Sequence, residues 1–308
     1  MKSIILPLII GTVLSSCATN QSSLSSNTLQ TISHSHQKEY SILQDLNVFV
    51  TGGSTGIGRE TVIQYAKQGA KVAFTYNKNK EAADQVVKIA NELGVKAIAI
   101  QSDFAKLDQK AAFELYDQVT KALGHINILV NNAGIVVLSD PLKITKDLVD
   151  QQLNINTWVP IYLMQAHIKS ALNHNNTNQK KYFHRIVNVG SICSQIYTEN
   201  VSLYEASKST LLTFTNNFAL QYAKNGIEIF TVSPGLTATE INRIQRENDP
   251  SAWKARTLKN PSRTAYEATH VAQEIVHSST MVGLSATNRI VASGGQHYSH
   301  SYDYKLRK

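Results

Sequence analysis

An apolar run from Asn47 to Thr51 opens directly into Gly52-Gly53-Ser54-Thr55-Gly56-Ile57-Gly58, and then into a helical pattern from Arg59 to Lys67 that Gly69 closes. Glycine adopts the positive φ of a tight turn and lets another backbone come close, so a strand can pass into a helix within a few residues. The same alternation repeats along the chain. Apolar strands are expected at Lys71–Tyr76, Val95–Ile100, Ile126–Asn131, His184–Gly190, Ile227–Ser233 and Asn288–Ser293. Helices are expected at Lys80–Leu93, Asp108–Leu123, Lys146–Leu172, Tyr204–Lys224 and Tyr266–Ser278, with Gly94, Gly124 and Gly226 placed to end three of them.

Strands and helices in strict alternation imply right-handed crossovers and a parallel sheet with helices on both faces. The expected fold class is therefore α/β: a three-layer, doubly wound parallel sheet of Rossmann type in a single domain, over residues 41–297 with a short tail at 298–308. A chain of 308 residues suffices for one such domain. The net charge of +8 arises from 30 basic and 22 acidic residues scattered along the chain, without a dense run or interleaved aromatics. That pattern favours anionic small ligands and gives no reason to expect a nucleic-acid partner.

The N-terminus is a different kind of sequence. Met1-Lys2 precedes an apolar segment, Ile4–Val13, too short to span a bilayer, and Leu14-Ser15-Ser16-Cys17 follows. An aliphatic residue, two small residues and a cysteine resemble a bacterial lipoprotein signal, which implies a signal peptide at 1–16 and lipidation of Cys17. The Ser-, Asn- and Gln-rich stretch at 17–40 has the composition of a flexible tether. The expected location is a membrane-anchored lipoprotein on the extracytoplasmic side of a bacterial membrane. If this N-terminus is not a functional signal, the chain is cytoplasmic. With Cys17 lipidated, Cys193 has no partner for an intramolecular disulfide.

A glycine-rich turn at the carboxyl end of a first strand brings backbone N–H groups and a helix N-terminus to a pyrophosphate, so it points to a dinucleotide. Gly52, Ser54, Thr55, Gly56, Ile57 and Gly58 would line that site. The second strand ends in Tyr76-Asn77-Lys78 with no carboxylate, where an acid would accept from the ribose hydroxyls of NAD and repel a 2′-phosphate. NADP(H) is expected in preference to NAD(H).

Tyr204 and Lys208 lie four residues apart in a helical segment and so share a face, with the ammonium positioned to favour phenolate. Four elements together resemble the short-chain dehydrogenase/reductase family. They are the turn Thr51–Gly58, Asn131-Asn132-Ala133-Gly134 after the fourth strand, Ser191 thirteen residues before the Tyr204–Lys208 pair, and Pro234-Gly235 with Thr239. The resemblance runs from about Leu46 to Gly295.

The resemblance implies a hydride transfer between NADP(H) and a small-molecule carbonyl or alcohol. Tyr204 would be the general acid or base, with Lys208 lowering its pKa and holding the nicotinamide ribose. Ser191 would hold the substrate oxygen, and Asn156, preferred over Asn154, would hold its helix and a proton-relaying water. Asp103 and Phe104 would reach the adenine, Asn132 would lie along the cofactor, and Pro234, Gly235, Thr237 and Thr239 would meet the nicotinamide. Asp103 as a helix cap and the two threonines as N-caps are the plainer readings. A homodimer or homotetramer is implied in the same way.

The polar segment Leu236–Arg263 would form a substrate lid, and it carries Arg243, Arg246, Lys254, Arg256 and Arg263 beside Glu240 and Glu247. The histidines are scattered without a metal-ligand spacing, so no metal is expected. The contrasting functional reading is a lipid-anchored, non-catalytic dinucleotide-binding or scaffold protein, which would not need Asn156, Ser191, Tyr204 and Lys208 together.

Overall fold

The structure is a computed structural model that describes residues 42–178 and 183–294. The signal peptide, Cys17, the tether and the tail at 298–308 lie outside the described residues.

Seven parallel strands form one sheet in the order β3-β2-β1-β4-β5-β6-β9: β1 Asn47–Val50, β2 Lys71–Tyr76, β3 Ala97–Gln101, β4 Ile128–Asn131, β5 His184–Val189, β6 Ile227–Pro234 and β9 Asn288–Val291. Two two-residue strands, β7 Thr237–Ala238 and β8 Tyr266–Glu267, pair separately. The helices are α1 Gly56–Lys67, α2 Lys80–Glu92, α3 Gln109–Leu123, α4 Lys146–Leu153, α5 Val159–Asn178, α6 Ser202–Tyr222, α7 Arg243–Asn248, α8 Pro250–Leu258 and α9 Ala268–Thr280.

Side chains alternate across each strand, so neighbouring apolar residues feed two cores. Phe49, Leu129 and Ile186 join α3, α5 and α6 on one face, while Val48, Val50, Ile128, Val130 and Val187 join α1 and α9 on the other. Both faces are covered, which is why these strands read as nearly continuous apolar runs.

The sheet reverses its winding between β1 and β4, which pair directly, and open α/β sheets bind ligands in the crevice at such a point. The turn after β1 and the residues after β4 border that crevice. Thr51 Oγ1 joins them by accepting from the backbone N–H groups of Asn132 (2.9 Å) and Ala133 (2.9 Å).

The elements differ from expectation mainly in two places. The stretch at 146–172 is one helical run interrupted by a π-turn, Asn154–Trp158, where Val159 donates to Asn154 five residues back. Pro160 supplies the reason: it has no N–H to offer the carbonyl of Asn156, so regular α geometry cannot pass through. The polar segment Leu236–Arg263, for which no helix is expected, contains α7 and α8, the latter begun by the Asp249 carboxylate accepting from Ala252 N–H (2.9 Å).

Candidate active site

A cavity of about 720 Å³ occupies the crevice, lined by the glycine-rich turn, the ends of β2 and β3, Asn132–Val136, Ser191–Cys193, Tyr204, Lys208 and the segment from Pro234 onward. This volume suits a ligand of cofactor size.

The turn is shaped by its glycines. Gly52 has φ +66°, a conformation that suits glycine, and a Cβ on Gly58 would collide with the Gly52 carbonyl and the Asn132 amide. Helix α1 starts beside the cavity with no side-chain cap on Thr55 and no acid in its first turn, so its N–H groups and positive dipole end are left for an anion. At the end of β2, Tyr76, Asn77 and Lys78 line the cavity, and Lys78 is exposed with no carboxylate paired to it among the described residues. These features fit a dinucleotide carrying an extra phosphate.

Asp103 lines the same cavity, while its carboxylate accepts from Ala105 N–H (3.2 Å) and pairs with Lys106 (3.5 Å). It is a cap, as the plainer reading held, as well as a wall residue beside Phe104. Asn132 turns its amide inward, donating to the carbonyls of Thr51 (2.9 Å) and Gly52 (3.1 Å). Pro234, Gly235, Thr237 and Thr239 all line the cavity. Thr237 lies in β7 and donates to the Gly235 carbonyl (3.1 Å), while Thr239 N–H donates to Asn242 Oδ1 (3.1 Å).

Ser191, Tyr204, Lys208 and Asn156 converge from three elements. Ser191 and Tyr204 both line the cavity wall, and the Ser191 hydroxyl is near enough to lower the pKa of the Tyr204 phenol. Lys208, buried, donates to the Val189 carbonyl (2.8 Å), and its Nζ lies 5.8 Å from the centre of the Tyr204 ring. Asn156 donates to the Ile135 carbonyl (3.0 Å) and the Ser207 hydroxyl (3.1 Å), and accepts from Ile135 N–H (2.9 Å). A Cβ on Gly134 would come within 3.3 Å of Asn156 Oδ1 and 3.6 Å of Lys208 Nζ, so both groups close on the same small space. Asn154 faces elsewhere, donating to the Phe104 (2.9 Å) and Leu107 (3.1 Å) carbonyls.

One expectation is corrected. Burial, not the nearby ammonium, dominates the Tyr204 phenol and pushes its pKa above the ordinary value, helped by Cys193 and opposed by the Ser191 hydroxyl and Arg256. Burial likewise brings Lys208 down to about 8. The ammonium is held by the Val189 carbonyl, and desolvation shifts both groups toward their neutral forms.

Several residues that shape the site carry no signal in the sequence alone. Ser207 anchors Asn156 and donates to the Tyr204 carbonyl (2.7 Å). Glu205 accepts from Thr198 N–H (2.6 Å) and ties down the loop in front of α6. Gln152 bonds both Val137 N–H (2.8 Å) and the Ile135 carbonyl (2.9 Å). Each bonds a segment outside its own helix, so its role depends on which backbone comes near.

The short chain dehydrogenase family model matches residues 46–250, and the chain belongs to that family. It is an NAD(P)-dependent oxidoreductase. An L-rhamnose 1-dehydrogenase (NADP(+)) from Thermoplasma acidophilum is 30% identical over 202 residues, covering 66% of this chain and 76% of that protein. A tetrahydroxynaphthalene reductase from Pestalotiopsis fici is 32% identical over 193 residues, 62% of this chain and 66% of that protein. The crystal structure of a short chain dehydrogenase from Burkholderia cenocepacia in complex with NADP is similar with a TM-score of 0.73 and 32% identity, over 82% of this chain and 99% of that one.

Proposed function

We propose that the chain transfers a hydride between NADP(H) and a small carbonyl or alcohol substrate, with Tyr204 moving the proton. The observation that carries this reading is the convergence of Ser191, Tyr204 and Lys208 on the wall of the same cavity that the glycine-rich turn and Lys78 line. A preference for NADP(H) is supported by the carboxylate-free end of β2, and by the NADP in the names of the Thermoplasma enzyme and the Burkholderia complex. Gly52 to Gly58, Lys78, Asp103, Phe104, Asn132 and the Pro234–Thr239 segment would hold the dinucleotide. Bound there, it supplies or accepts the hydride.

The chain's own residues would do the rest. Ser191 Oγ and Tyr204 Oη would hold the substrate oxygen, where negative charge grows as a carbonyl is reduced. A phenol with a raised pKa is fully protonated at neutral pH, the form needed to donate to that oxygen. Lys208 Nζ would hold the ribose hydroxyls and pass a proton toward Tyr204. The carbonyl of Asn156, freed from an α-helical partner by Pro160, would hold the water that resupplies Lys208. A non-catalytic scaffold would have no use for this convergence.

The test is NADPH oxidation over a panel of ketones and aldehydes, in the full chain and in Tyr204→Phe. Turnover should fall by about 10²–10⁴-fold in the variant with NADPH affinity retained. Equal rates would remove Tyr204 from the mechanism.

The same reading includes lipidation at Cys17, a location on the extracytoplasmic side of a bacterial membrane, and assembly as a homodimer or homotetramer. The support for lipidation and location is the apolar segment followed by Leu14-Ser15-Ser16-Cys17, and the support for assembly is family resemblance. Metabolic labelling with palmitate should mark the wild-type chain and leave Cys17→Ala unlabelled; an unlabelled wild type discards the anchor.

A further inference from the structure

The segment Leu236–Arg263 carries six basic residues, and the structure sorts them by what they touch; Lys259 does not line the cavity. Arg243 is neutralised by Glu240 (2.6 Å) and Glu247 (2.7 Å). Arg246 donates to Asn242 Oδ1 (3.0 Å) and the Thr239 carbonyl (3.2 Å), holding the turn before α7. Lys254 and Arg263 do not line the cavity.

Arg256, on α8, lines the cavity and has no carboxylate or hydrogen-bond acceptor among the described residues. It shares that wall with Ser191, Cys193 and Tyr204, and its charge lowers the pKa of both Tyr204 and Cys193.

Of the other charges on the wall, Lys78 stands at the end of β2 where the cofactor phosphate is placed, Lys208 is held by the Val189 carbonyl, Asp103 is a cap paired with Lys106, and Glu240 is bound by Arg243. Arg256 is thus the unmatched charge on the substrate's side. Val136, Leu138, Ile192 and Leu236 supply apolar wall for a carbon chain. A planar guanidinium at the rim of an apolar wall matches a carboxylate, which it can grip with two parallel hydrogen bonds.

We propose that Arg256 is a specificity-determining residue, and that the substrate is a carbonyl or alcohol carrying a carboxylate remote from the reacting carbon. This rests on the oxidoreductase reading of the cavity.

The experiment compares 5-oxohexanoate with its methyl ester, which differ in charge while sharing the ketone, using the full chain at saturating NADPH so that neither probe competes for the phosphate cradle. The carboxylate should be favoured by roughly tenfold or more in kcat/KM, the scale of one charge-assisted pair. Arg256→Gln should erase that preference, chiefly by raising KM for the carboxylate, and Arg256→Lys should restore part of it. Equal use of acid and ester by the wild type overturns the proposal, as does a loss in Arg256→Gln that affects both probes alike. If neither ketone turns over, the oxidoreductase reading has failed on this pair, and Arg256 is judged by calorimetric titration of the enzyme–NADP⁺ complex with the two probes. A carboxylate preference lost in Arg256→Gln then supports the anion site, and its absence in the wild type overturns it.

Discussion

At the carboxyl end of the parallel strands, Tyr204 and Lys208 are desolvated beside a cavity, with Ser191 on the same wall and Lys208 donating to the Val189 carbonyl. At the amino end, four histidines gather from three elements. The rings of His125 and His174 stack at 3.7 Å, His184 stands edge-on to His125 at 5.0 Å, and His167 lies 6.0 Å from His184. Tyr116 Oη meets His167 Nδ1 at 3.0 Å, and His184 Nε2 meets Asn175 Oδ1 at 3.3 Å. His125 Nε2, His167 Nε2 and His184 Nδ1 have no hydrogen-bond partner among the described residues. None of the four lines the cavity, and among the described residues no group of side chains is arranged to hold a metal ion.

Both ends shift the protonation of what they bury. Desolvation lowers His125 to about 4, His184 to about 3 and His167 well below its ordinary value, with repulsion between the rings adding to it. A shifted pKa therefore does not by itself mark a site. The carboxyl end differs in having access for a ligand: β1 and β4 part there, and the turns that follow them leave room. The histidines at the amino end lie outside that cavity, so their shifted protonation bears on stability.

The sharpest way to break this contrast is Lys208→Met. Folding holds Lys208 near 8 against about 10.5 when unfolded, so the unfolded chain binds more protons between those values, and stability rises with pH across that window. Below pH 8 the buried ammonium is a liability. Methionine removes it, at the cost of one hydrogen bond to Val189. Turnover should fall by about 10³-fold or more, while stability at pH 7 in urea should rise by about 1–3 kcal/mol. Loss of both activity and stability would mean that Lys208 supports the fold, and the distinction between the two ends would fail.

His184→Gln tests the other end. The folded pKa lies below the unfolded value of about 6.5, so the stabilisation of neutral His184 is complete above pH 6.5 and is lost as pH falls toward about 3. Arg185 beside it opposes protonation and is partly balanced by Glu228 at 3.8 Å; Tyr116 faces the cluster from α3. Between pH 7 and pH 5 the wild type should lose about 2 kcal/mol through this residue, and the variant should lack that part of the acid dependence while keeping its kcat. Superimposable unfolding curves at the two pH values in both proteins would refute it.

The site was more legible in the sequence than the histidine cluster, for a physical reason. The glycine-rich turn, Asn131–Gly134 and the Tyr204–Lys208 spacing are local patterns, each set by one turn or one helix face. His125, His167, His174 and His184 span 60 positions and meet only because β4 and β5 pair and α5 packs across them; read singly, they gave no sign of clustering. The π-turn at Asn154–Trp158 was half legible. Pro160 stood out as unusual, but only the structure ties it to the carbonyl of Asn156. The pKa of Tyr204 was misjudged because spacing reports which charges are near and says nothing of how much water is removed.

Lys78 offers the smallest and most selective change, because it is a carboxyl-end charge that is exposed rather than buried. An exposed cation without a partner contributes little to folding, so Lys78→Glu should leave stability unchanged at pH 7 and pH 5 within about 0.5 kcal/mol. Its effect should appear only with the ligand. A carboxylate at the end of β2 repels a 2′-phosphate and accepts from ribose hydroxyls, so NADPH affinity measured by fluorescence titration should weaken roughly tenfold while NADH affinity holds or improves. An equal loss for both cofactors would show that the substitution disturbs the β2 turn as a whole, and would move the source of NADP(H) preference from Lys78 to another part of the cavity wall. Selective weakening would place Lys78 in a third category beside Lys208 and His184: a charge at the open end of the sheet that acts on the ligand and leaves the fold alone.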